Sequence, residues 1–221
     1  GVLNSNDLDD DNDGIVDVQE AGIIPQSGTL SVFDPFDSEQ IGLIQVINNR
    51  PNFNPGQLFI ISPIDGTYIP IGQTTTNFSV NGIAADPVSG AIYGMVIGTP
   101  IGNDAANNPV VRGDVVKADR DGEWFKVGSV GSHINAGSDI NSADIYNGQL
   151  IVENNGSSVF VVDINEPIGS TNDVLIAQFL LQDSIVSDLV VSSDGILYTV
   201  TRTGILRSWD IDQALLNLSS V

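Results

Sequence analysis

The sequence predicts an all-β fold, and three observations lead to that prediction. Ile, Val and Leu dominate the apolar residues, which make up 41% of the 221 positions, whereas Met occurs once. Glycine and proline are spread along the whole chain, so that no long segment keeps the periodicity of a helix. Turn signals recur at short intervals between the apolar runs. Together these features indicate many short strands joined by tight turns.

Turn-forming dipeptides separate the apolar runs. An Asn-Gly or Asp-Gly pair between two such runs is the strongest local signal for a β-hairpin, because both residues tolerate a positive φ. Each pair is therefore predicted to join two antiparallel strands. The Asn-Gly and Asp-Gly pairs are Asp65-Gly66, Asp121-Gly122, Asn147-Gly148, Asn155-Gly156 and Asp194-Gly195, and Ser89-Gly90 is a further turn signal.

The predicted hairpins repeat along the chain. The segment QLFIISPIDGTYIPIG aligns with DVVKADRDGEWFKVG so that their Asp-Gly pairs coincide. A second hairpin follows each first one, at GIAADPVSGAIYGMV, NSADIYNGQLIVENN and VSDLVVSSDGILYTV. Two successive hairpins give four strands in about 45 residues, which is the size of one propeller blade. The sequence therefore predicts a β-propeller-like repeat of four-stranded units.

The repeat predicts one domain over residues 23–221. Its units lie near 57–113, 114–157 and 158–203, and the start of another unit lies at 204. Because so few units are present, the propeller either closes by pairing its terminal strands or is incomplete within this sequence. A β-sandwich also has short strands and frequent turns, but the internal similarity favours the propeller.

Three segments depart from the regular pattern. An insertion rich in Asn, Pro and Gly, from Gly98 to Arg112, lengthens the first unit. A strand–turn–strand element at 29–47 precedes that unit. The segment from Ile211 to Leu218 is predicted to form one or two helical turns.

The charge balance is strongly acidic, with 28 Asp and Glu against 7 Lys and Arg and a net charge of −21. Such a surface repels nucleic acid and anionic membranes and attracts multivalent cations. No apolar stretch reaches the roughly eighteen residues of a membrane-spanning helix. We therefore expect neither nucleic acid binding nor membrane insertion. The absence of Cys excludes disulfides, thiolate metal sites and thiol catalysis.

Acidic residues are concentrated at the start of the chain, before residue 22. The twelve residues from Asp9 to Glu20 fit the pattern D-x-[DN]-x-[DN]-G-x5-E at every defined position. A tightly curled loop of this kind turns alternate residues inward, and Ca²⁺ takes roughly six to eight oxygen ligands. Gly14 permits the sharp turn. The expected ligands are the carboxylates of Asp9, Asp11 and Asp13, the carbonyl of Ile15, Asp17 directly or through water, and Glu20 in bidentate fashion.

The calcium loop lacks the helices of an EF-hand sensor. Only GVLNSNDL precedes it, and Pro25 limits any helix in the segment AGIIP that follows. The run DLDDDNDGIVDVQEAG instead resembles a thrombospondin type 3 repeat, a short calcium module of secreted proteins. The resemblance covers about residues 4–22 and assigns 1–22 to a calcium-binding segment. It implies calcium ligation by Asp9, Asp11, Asp13, Asp17 and Glu20. The rest of the chain resembles, more loosely, the propeller-like domains that follow such repeats in adhesins and bacterial surface proteins.

Few residues are candidates for catalysis. His133 is the sole histidine, and in GSVGSHINAG it is interpreted as an ordinary surface residue in preference to a general base. No G-x-S-x-G motif occurs, and the arginines are scattered. Trp124, Trp209, Tyr68 and Tyr93 are either a sugar-stacking surface or, as we favour, core and sheet residues. We therefore expect that the protein is not an enzyme.

These observations predict a calcium-stabilised binding or surface-assembly module of a larger secreted or cell-surface protein, in which calcium is structural. Its expected location is extracellular or at the cell surface. Its expected partners are a protein or glycan ligand, or neighbouring copies in an assembly. Two alternatives stay open: a propeller-type carbohydrate-active hydrolase or lyase, and a subunit of a surface filament or layer.

Overall fold

The structure is a computed structural model. It describes residues 43–47, 56–61, 68–71, 78–86, 88–97, 102–119, 122–134, 140–154, 158–181, 186–201 and 203–218. The predicted calcium loop from Asp9 to Glu20, and the whole of the 1–22 segment, lie outside these residues.

The described strands form four antiparallel sheets, and within each sheet the strands follow the order of the chain. Sheet 1 contains β1 (Leu43–Ile47), β2 (Gln57–Ile61) and β3 (Tyr68–Ile71). Sheet 2 contains β4 (Ser79–Ala85), β5 (Ile92–Ile97), β6 (Asp114–Ala118) and β7 (Trp124–Ser129). Sheet 3 contains β8 (Ile140–Tyr146), β9 (Gln149–Asn154), β10 (Ser158–Asp163) and β11 (Leu175–Leu180). Sheet 4 contains β12 (Val186–Val191), β13 (Ile196–Thr201) and β14 (Leu206–Asp210), followed by helix α1 (Ile211–Leu218).

The first strands of successive sheets lie next to one another. Strand β1 contacts β4, β4 contacts β8, and β8 contacts β12. Each sheet therefore runs outward from an inner strand to an outer one, as the blades of a propeller do. The all-β, β-propeller-like repeat of four-stranded units is thereby confirmed, and sheets 2 and 3 are complete four-stranded units.

The predicted turns lie between paired strands wherever the structure describes them. Ser89-Gly90 lies between β4 and β5, and Asp194-Gly195 between β12 and β13. Asn147 and Gly148 join β8 to β9 with φ values of 50° and 71°. Two consecutive positive φ values are those of a type I′ hairpin turn, which explains the Asn-Gly pair at this position.

The sheets start at a different strand from the predicted units. The predicted boundary at residue 114, for example, falls at the start of β6, in the middle of sheet 2. The repeat of hairpins shows how many strands form a unit. It does not show which strand lies innermost, because that depends on which strands of successive sheets pack against each other.

The core lies between the sheets, in three clusters of apolar side chains. Sheets 1 and 2 enclose one cluster, sheets 2 and 3 a second, and sheets 3 and 4 a third. Strands β9 and β10 are buried along nearly their whole length, because sheet 3 is covered on both faces. In β13 the burial alternates residue by residue, so one face of sheet 4 is covered and the other is not.

Polar contacts also join successive sheets. The indole Nε1 of Trp124 donates to the Gly56 carbonyl at 2.6 Å, between sheets 2 and 1. Between sheets 2 and 3, the Asn81 side chain donates to the Ile140 carbonyl at 2.6 Å. Because these groups are partly or fully buried, each contact satisfies a donor that water does not reach readily.

Helix α1 confirms the helical turns predicted for residues 211–218. Asp210 accepts a hydrogen bond from the Gln213 amide at 2.9 Å, in the manner of an N-cap side chain. Ile211 is fully buried against sheets 3 and 4. No helix in the described part of the chain has the length and apolar character needed to cross a membrane.

Candidate functional site

The predicted calcium ligands Asp9, Asp11, Asp13, Ile15, Asp17 and Glu20 all lie outside the described residues, and their arrangement stays a prediction. Within the described ranges, no group of three or more His, Cys, Asp or Glu side chains is placed to hold a metal ion. The described structure places several other polar residues in defined surroundings.

His133 lies at the surface in a short 3₁₀ turn, Gly131–His133, that follows β7. Its Nε2 lies 2.6 Å from the Oδ2 of Asp173, which belongs to the loop before β11. The hydrogen bond from His133 is the largest cause of the lowered pKa of the Asp173 carboxyl, and the Leu175 amide adds to it. Both side chains are solvent-accessible.

The surroundings of His133 indicate a structural connection between two sheets. The Ser129 amide donates to the Asn172 carbonyl at 3.0 Å, and the Val174 amide donates to the Ser129 carbonyl at 3.1 Å. A Cβ on Gly128 would approach Val174 to within 2.3 Å, so only glycine permits this close approach. The loop of sheet 3 is therefore attached to the outer strand of sheet 2, and His133–Asp173 lies at the end of that attachment.

The insertion after sheet 2's second strand is anchored by two buried carboxylates. Asp104 accepts the Lys126 amide at 2.8 Å and the Asn108 amide at 2.7 Å. Asp114 is fully buried, accepts the Val111 amide at 2.8 Å, and forms an ion pair with Lys126 Nζ at 2.8 Å. These residues could not be predicted from the sequence, because nothing in an Asn- and Pro-rich insertion shows which strand it packs against.

The aromatic residues are not gathered into a sugar-stacking surface among those described. Trp124 is fully buried between sheets 1 and 2, and Tyr93 is buried between sheets 2 and 3. Trp209 packs against the cluster between sheets 3 and 4. These three side chains support the cores between successive sheets.

The inner strands carry one aspartate that joins two sheets. Asp144 of β8 accepts the Val191 amide of β12 at 2.7 Å through Oδ2, and the Ile145 amide through Oδ1. Asp188 of β12 occupies the same position one sheet later, with its Oδ1 accepting the Leu189 amide at 2.9 Å. The equivalence of the two aspartates is visible in the sequence, because SADIY and VSDLV align in the repeated hairpins.

Cross-strand pairing extends this equivalence across the two sheets. Asp144 is paired with Ile151 and Asp188 with Val200. In the next strand outward, Ile151 is paired with Val161, and Val200 with Leu206. Val200 and Leu206 therefore hold, in sheet 4, the positions that Ile151 and Val161 hold in sheet 3.

Equivalent positions differ sharply in exposure. Ile151 and Val161 are 0% exposed because sheet 4 covers them, whereas Val200 is 36% and Leu206 67% exposed. Val190 and Tyr198, on the same side of sheet 4, are 54% and 37% exposed. We call Val190, Tyr198, Val200 and Leu206 the open face. It is a mainly apolar sheet surface, and three of its four positions correspond to side chains that sheet 4 covers in the preceding sheet, which makes it a candidate interaction site.

The family described as "Repeat of unknown function (DUF6923)" matches residues 49–217. Among solved structures, the chain resembles glutaminyl cyclase from Myxococcus xanthus at 12% identity and a TM-score of 0.41, over 76% of this chain and 72% of that one. It resembles a gluconolactonase from Xanthomonas campestris at 15% identity and a TM-score of 0.44, over 72% of this chain and 46% of that one. BamB from Moraxella catarrhalis matches at 14% identity and a TM-score of 0.36, over 70% of this chain and 38% of that one.

The chain spans less than half the length of the gluconolactonase and of BamB. No curated protein matches it. Similarity at these identities concerns the fold alone and says nothing about activity.

Proposed function

Because this chain belongs to the DUF6923 family, a repeat of unknown function, we propose its function from its own residues. It is an extracellular or cell-surface binding and assembly module, whose acidic N-terminal segment binds structural calcium and whose propeller-like domain offers a surface to partners. Calcium stiffens the segment that leads into the domain. The module itself is not an enzyme.

The open face is the single observation that carries the assembly part of this proposal. Its Val200 and Leu206 side chains are apolar and solvent-accessible, although the equivalent Ile151 and Val161 of sheet 3 are fully buried under sheet 4. Burying apolar surface stabilises by about 25 cal/mol for each Å². A partner that covers the open face therefore gains what sheet 4 gains by covering sheet 3. The proposed partner is a protein or glycan ligand or a neighbouring copy.

The twelve-residue pattern from Asp9 to Glu20 supports the calcium part. The proposed ligands are Asp9, Asp11, Asp13, Ile15, Asp17 and Glu20. Without the ion, clustered carboxylates repel one another, and their mutual repulsion opposes any compact loop. Since a preformed site of this kind rarely exists without its metal, calcium binding and ordering of the segment are coupled. The resemblance to a thrombospondin type 3 repeat supports the same role and an extracellular, calcium-rich location.

Limited proteolysis tests the calcium part directly. The whole chain is digested with a protease of broad specificity in calcium and in excess chelator, and cleavage between residues 7 and 22 is followed by mass spectrometry. We expect cleavage there to accelerate strongly on chelation, while cleavage in sheets 2 and 3 does not change. Equal cleavage rates in both conditions would remove the calcium part of the proposal.

Two variants separate ligation from charge. Glu20→Gln removes the closing ligand, whereas Asp10→Asn removes one charge at a position that the pattern leaves undefined. Glu20→Gln is expected to be cleaved rapidly even in calcium, and Asp10→Asn to behave as the parent chain does. A separate incubation with acidic and neutral polysaccharides checks the enzymatic alternative, because released reducing ends would replace this proposal with a hydrolase or lyase.

A further inference from the structure

We infer that the open face of sheet 4 is the docking surface for a further antiparallel sheet of the same repeat, whose innermost strand donates a backbone N–H to Asp188. This inference rests on the open face, which carries the assembly part of the proposed function, and it names a further sheet of the repeat as the occupant in place of a glycan ligand or a neighbouring copy. It does not depend on calcium.

Asp188 makes one of the two hydrogen bonds that the equivalent Asp144 makes. Asp144 uses one carboxylate oxygen for the amide of the next residue and the other for an amide of the next sheet. Asp188 makes the first of these hydrogen bonds. Its other oxygen has no hydrogen-bond partner among the described residues and lies at the inner edge of the open face. A strand placed as β12 is placed on β8 would supply that missing donor.

The apolar side chains of the open face correspond to side chains that sheet 4 covers on sheet 3. Val190, Val200 and Leu206 are equivalent, by cross-strand pairing, to Tyr146, Ile151 and Val161, all of which pack in the cluster between sheets 3 and 4. The open face thus repeats the surface that already receives a sheet of this repeat. Since apolar residues recur at these three positions in the same register, the surface that fits them is again an antiparallel sheet with an apolar side.

A second copy of the chain fits this face less well. In its sheet 1, Leu58 and Phe59 of β2 point to opposite faces and both are fully buried, so neither position offers an exposed apolar side chain to the open face. Two open faces meeting each other would bring together two Asp188 and two Asp210 carboxylates from chains of net charge −21, which is unfavourable. We therefore infer that the occupant is a further sheet of the repeat.

The test supplies that sheet. A second copy of residues 182–221 is appended to the whole chain after Val221 through a flexible Gly-Ser linker, and a second version appends residues 135–181 instead. Hydroxyl-radical labelling read by mass spectrometry reports the exposure of Leu206 and Tyr198. Leu180 serves as the matched control, because it is a leucine of comparable exposure that belongs to sheet 3 and not to the open face.

We expect labelling of Leu206 and Tyr198 to be lost in at least one extended chain, with labelling of Leu180 unchanged. Asp188→Ala should then lower the melting temperature of the extended chain by as much as Asp144→Ala lowers that of the parent chain. In the parent chain, Asp188→Ala should cause no measurable shift. Retained labelling of Leu206 in both extended chains would overturn the inference.

Sedimentation velocity of the parent chain checks the other occupant. Dimerisation of the parent chain that Leu206→Asp abolishes would show that a second copy covers the open face. The inference that a further sheet occupies it would then be wrong. Dimerisation through the open face would overturn this inference and support the assembly part of the proposed function, whereas retained labelling without dimerisation would leave the open face with neither occupant; the calcium-dependent proteolysis is unaffected in both cases.

Discussion

Asp144 and Asp188 are chemically alike and occupy equivalent positions, yet they differ in what they bind. The Asp144 carboxylate accepts two backbone amides, one of them from the next sheet, whereas Asp188 accepts one amide from its own strand. A hydrogen bond to a charged group contributes about 1.5–3 kcal/mol, and a buried amide left without its acceptor adds a desolvation penalty. The position of the sheet, not the residue type, therefore determines the importance of the aspartate.

Replacing Asp144 should destabilise the protein more than replacing Asp188. We expect Asp144→Ala to lower the free energy of unfolding by about 2–3 kcal/mol, and Asp188→Ala to change it by less than about 0.5 kcal/mol, as surface substitutions do. Urea unfolding followed by tryptophan fluorescence measures both. Similar losses for the two variants would mean that Asp144 does not join sheets 3 and 4 in the way described.

The pKa of Asp173 should depend on His133. The hydrogen bond from His133 lowers the pKa of this carboxyl below its ordinary value of 3.8. A carboxyl whose pKa is lowered by folding stabilises the folded state at pH values above 3.8, and that contribution is lost as the pH falls through the folded-state pKa. The contribution is small because the pair is exposed to solvent.

Removing the histidine side chain checks this dependence. In His133→Ala, the Asp173 titration is expected to move upward, towards 3.8, when its carboxyl carbon is followed by NMR. Asp173→Asn identifies the resonance. An unchanged titration in His133→Ala would show that the Leu175 amide, and not the histidine, holds the pKa down.

At the scale of single residues, the sequence revealed chemistry but not contacts. It identified His133 as a surface residue, but its partner lies 40 positions away in the loop of another sheet. Asp144 and Asp188 shared a column of the repeat, yet only the pairing of β8 with its neighbours shows which carboxylate reaches the next sheet.

The insertion before β6 provides a test at the scale of elements. Asp114 and Lys126 form a buried ion pair that joins the start of β6 to β7, next to the anchored insertion. Breaking a buried pair by removing one partner is strongly destabilising, because the other charge stays buried without compensation. Replacing both partners with uncharged residues avoids that penalty.

We expect Lys126→Met alone to lower the free energy of unfolding by about 3–5 kcal/mol. The double variant Asp114→Asn/Lys126→Met should recover a large part of that loss. Lys117→Met is the control, because this lysine is only partly buried and lies 5.5 Å above the Tyr93 ring, an interaction that contributes about 0.5–1 kcal/mol. Additive losses in the double variant would show that the pair does not act as a unit.

Turns and the helix were the elements that the sequence predicted best. The Asn147-Gly148 turn and helix α1 depend on local chemistry, namely positive φ values and an N-cap aspartate, and both are visible in a short window of sequence. The attachment of Ser129 to Val174 was not predicted, because it joins segments from two sheets through backbone atoms. Contacts between backbone atoms do not select particular residue types, so they cannot be predicted from the sequence unless a close approach requires glycine, as at Gly128.

At the scale of the whole molecule, the number of strands in each unit was predicted and their starting point was not. Two aligned hairpins in each unit indicated four-stranded sheets, and the sheets are present. The sequence does not show which strand of a unit is innermost. The inner strands β4, β8 and β12 contact one another through apolar side chains and through polar contacts such as that of Asn81 with Ile140, and no single residue pattern marks both kinds of contact. The open face could not be predicted either, because Val200 and Leu206 are as apolar as the buried residues to which they correspond.

Calcium binding by the segment from Asp9 to Glu20 is measured by titration calorimetry of the whole chain. We expect one saturable site with a dissociation constant of about 10⁻⁴–10⁻³ M or tighter, the range of extracellular modules. Glu20→Gln should abolish this site, and Asp10→Asn should retain it. Weak, unsaturable heat that is the same in all three chains would reflect only the general negative charge and would rule out a calcium site in this segment.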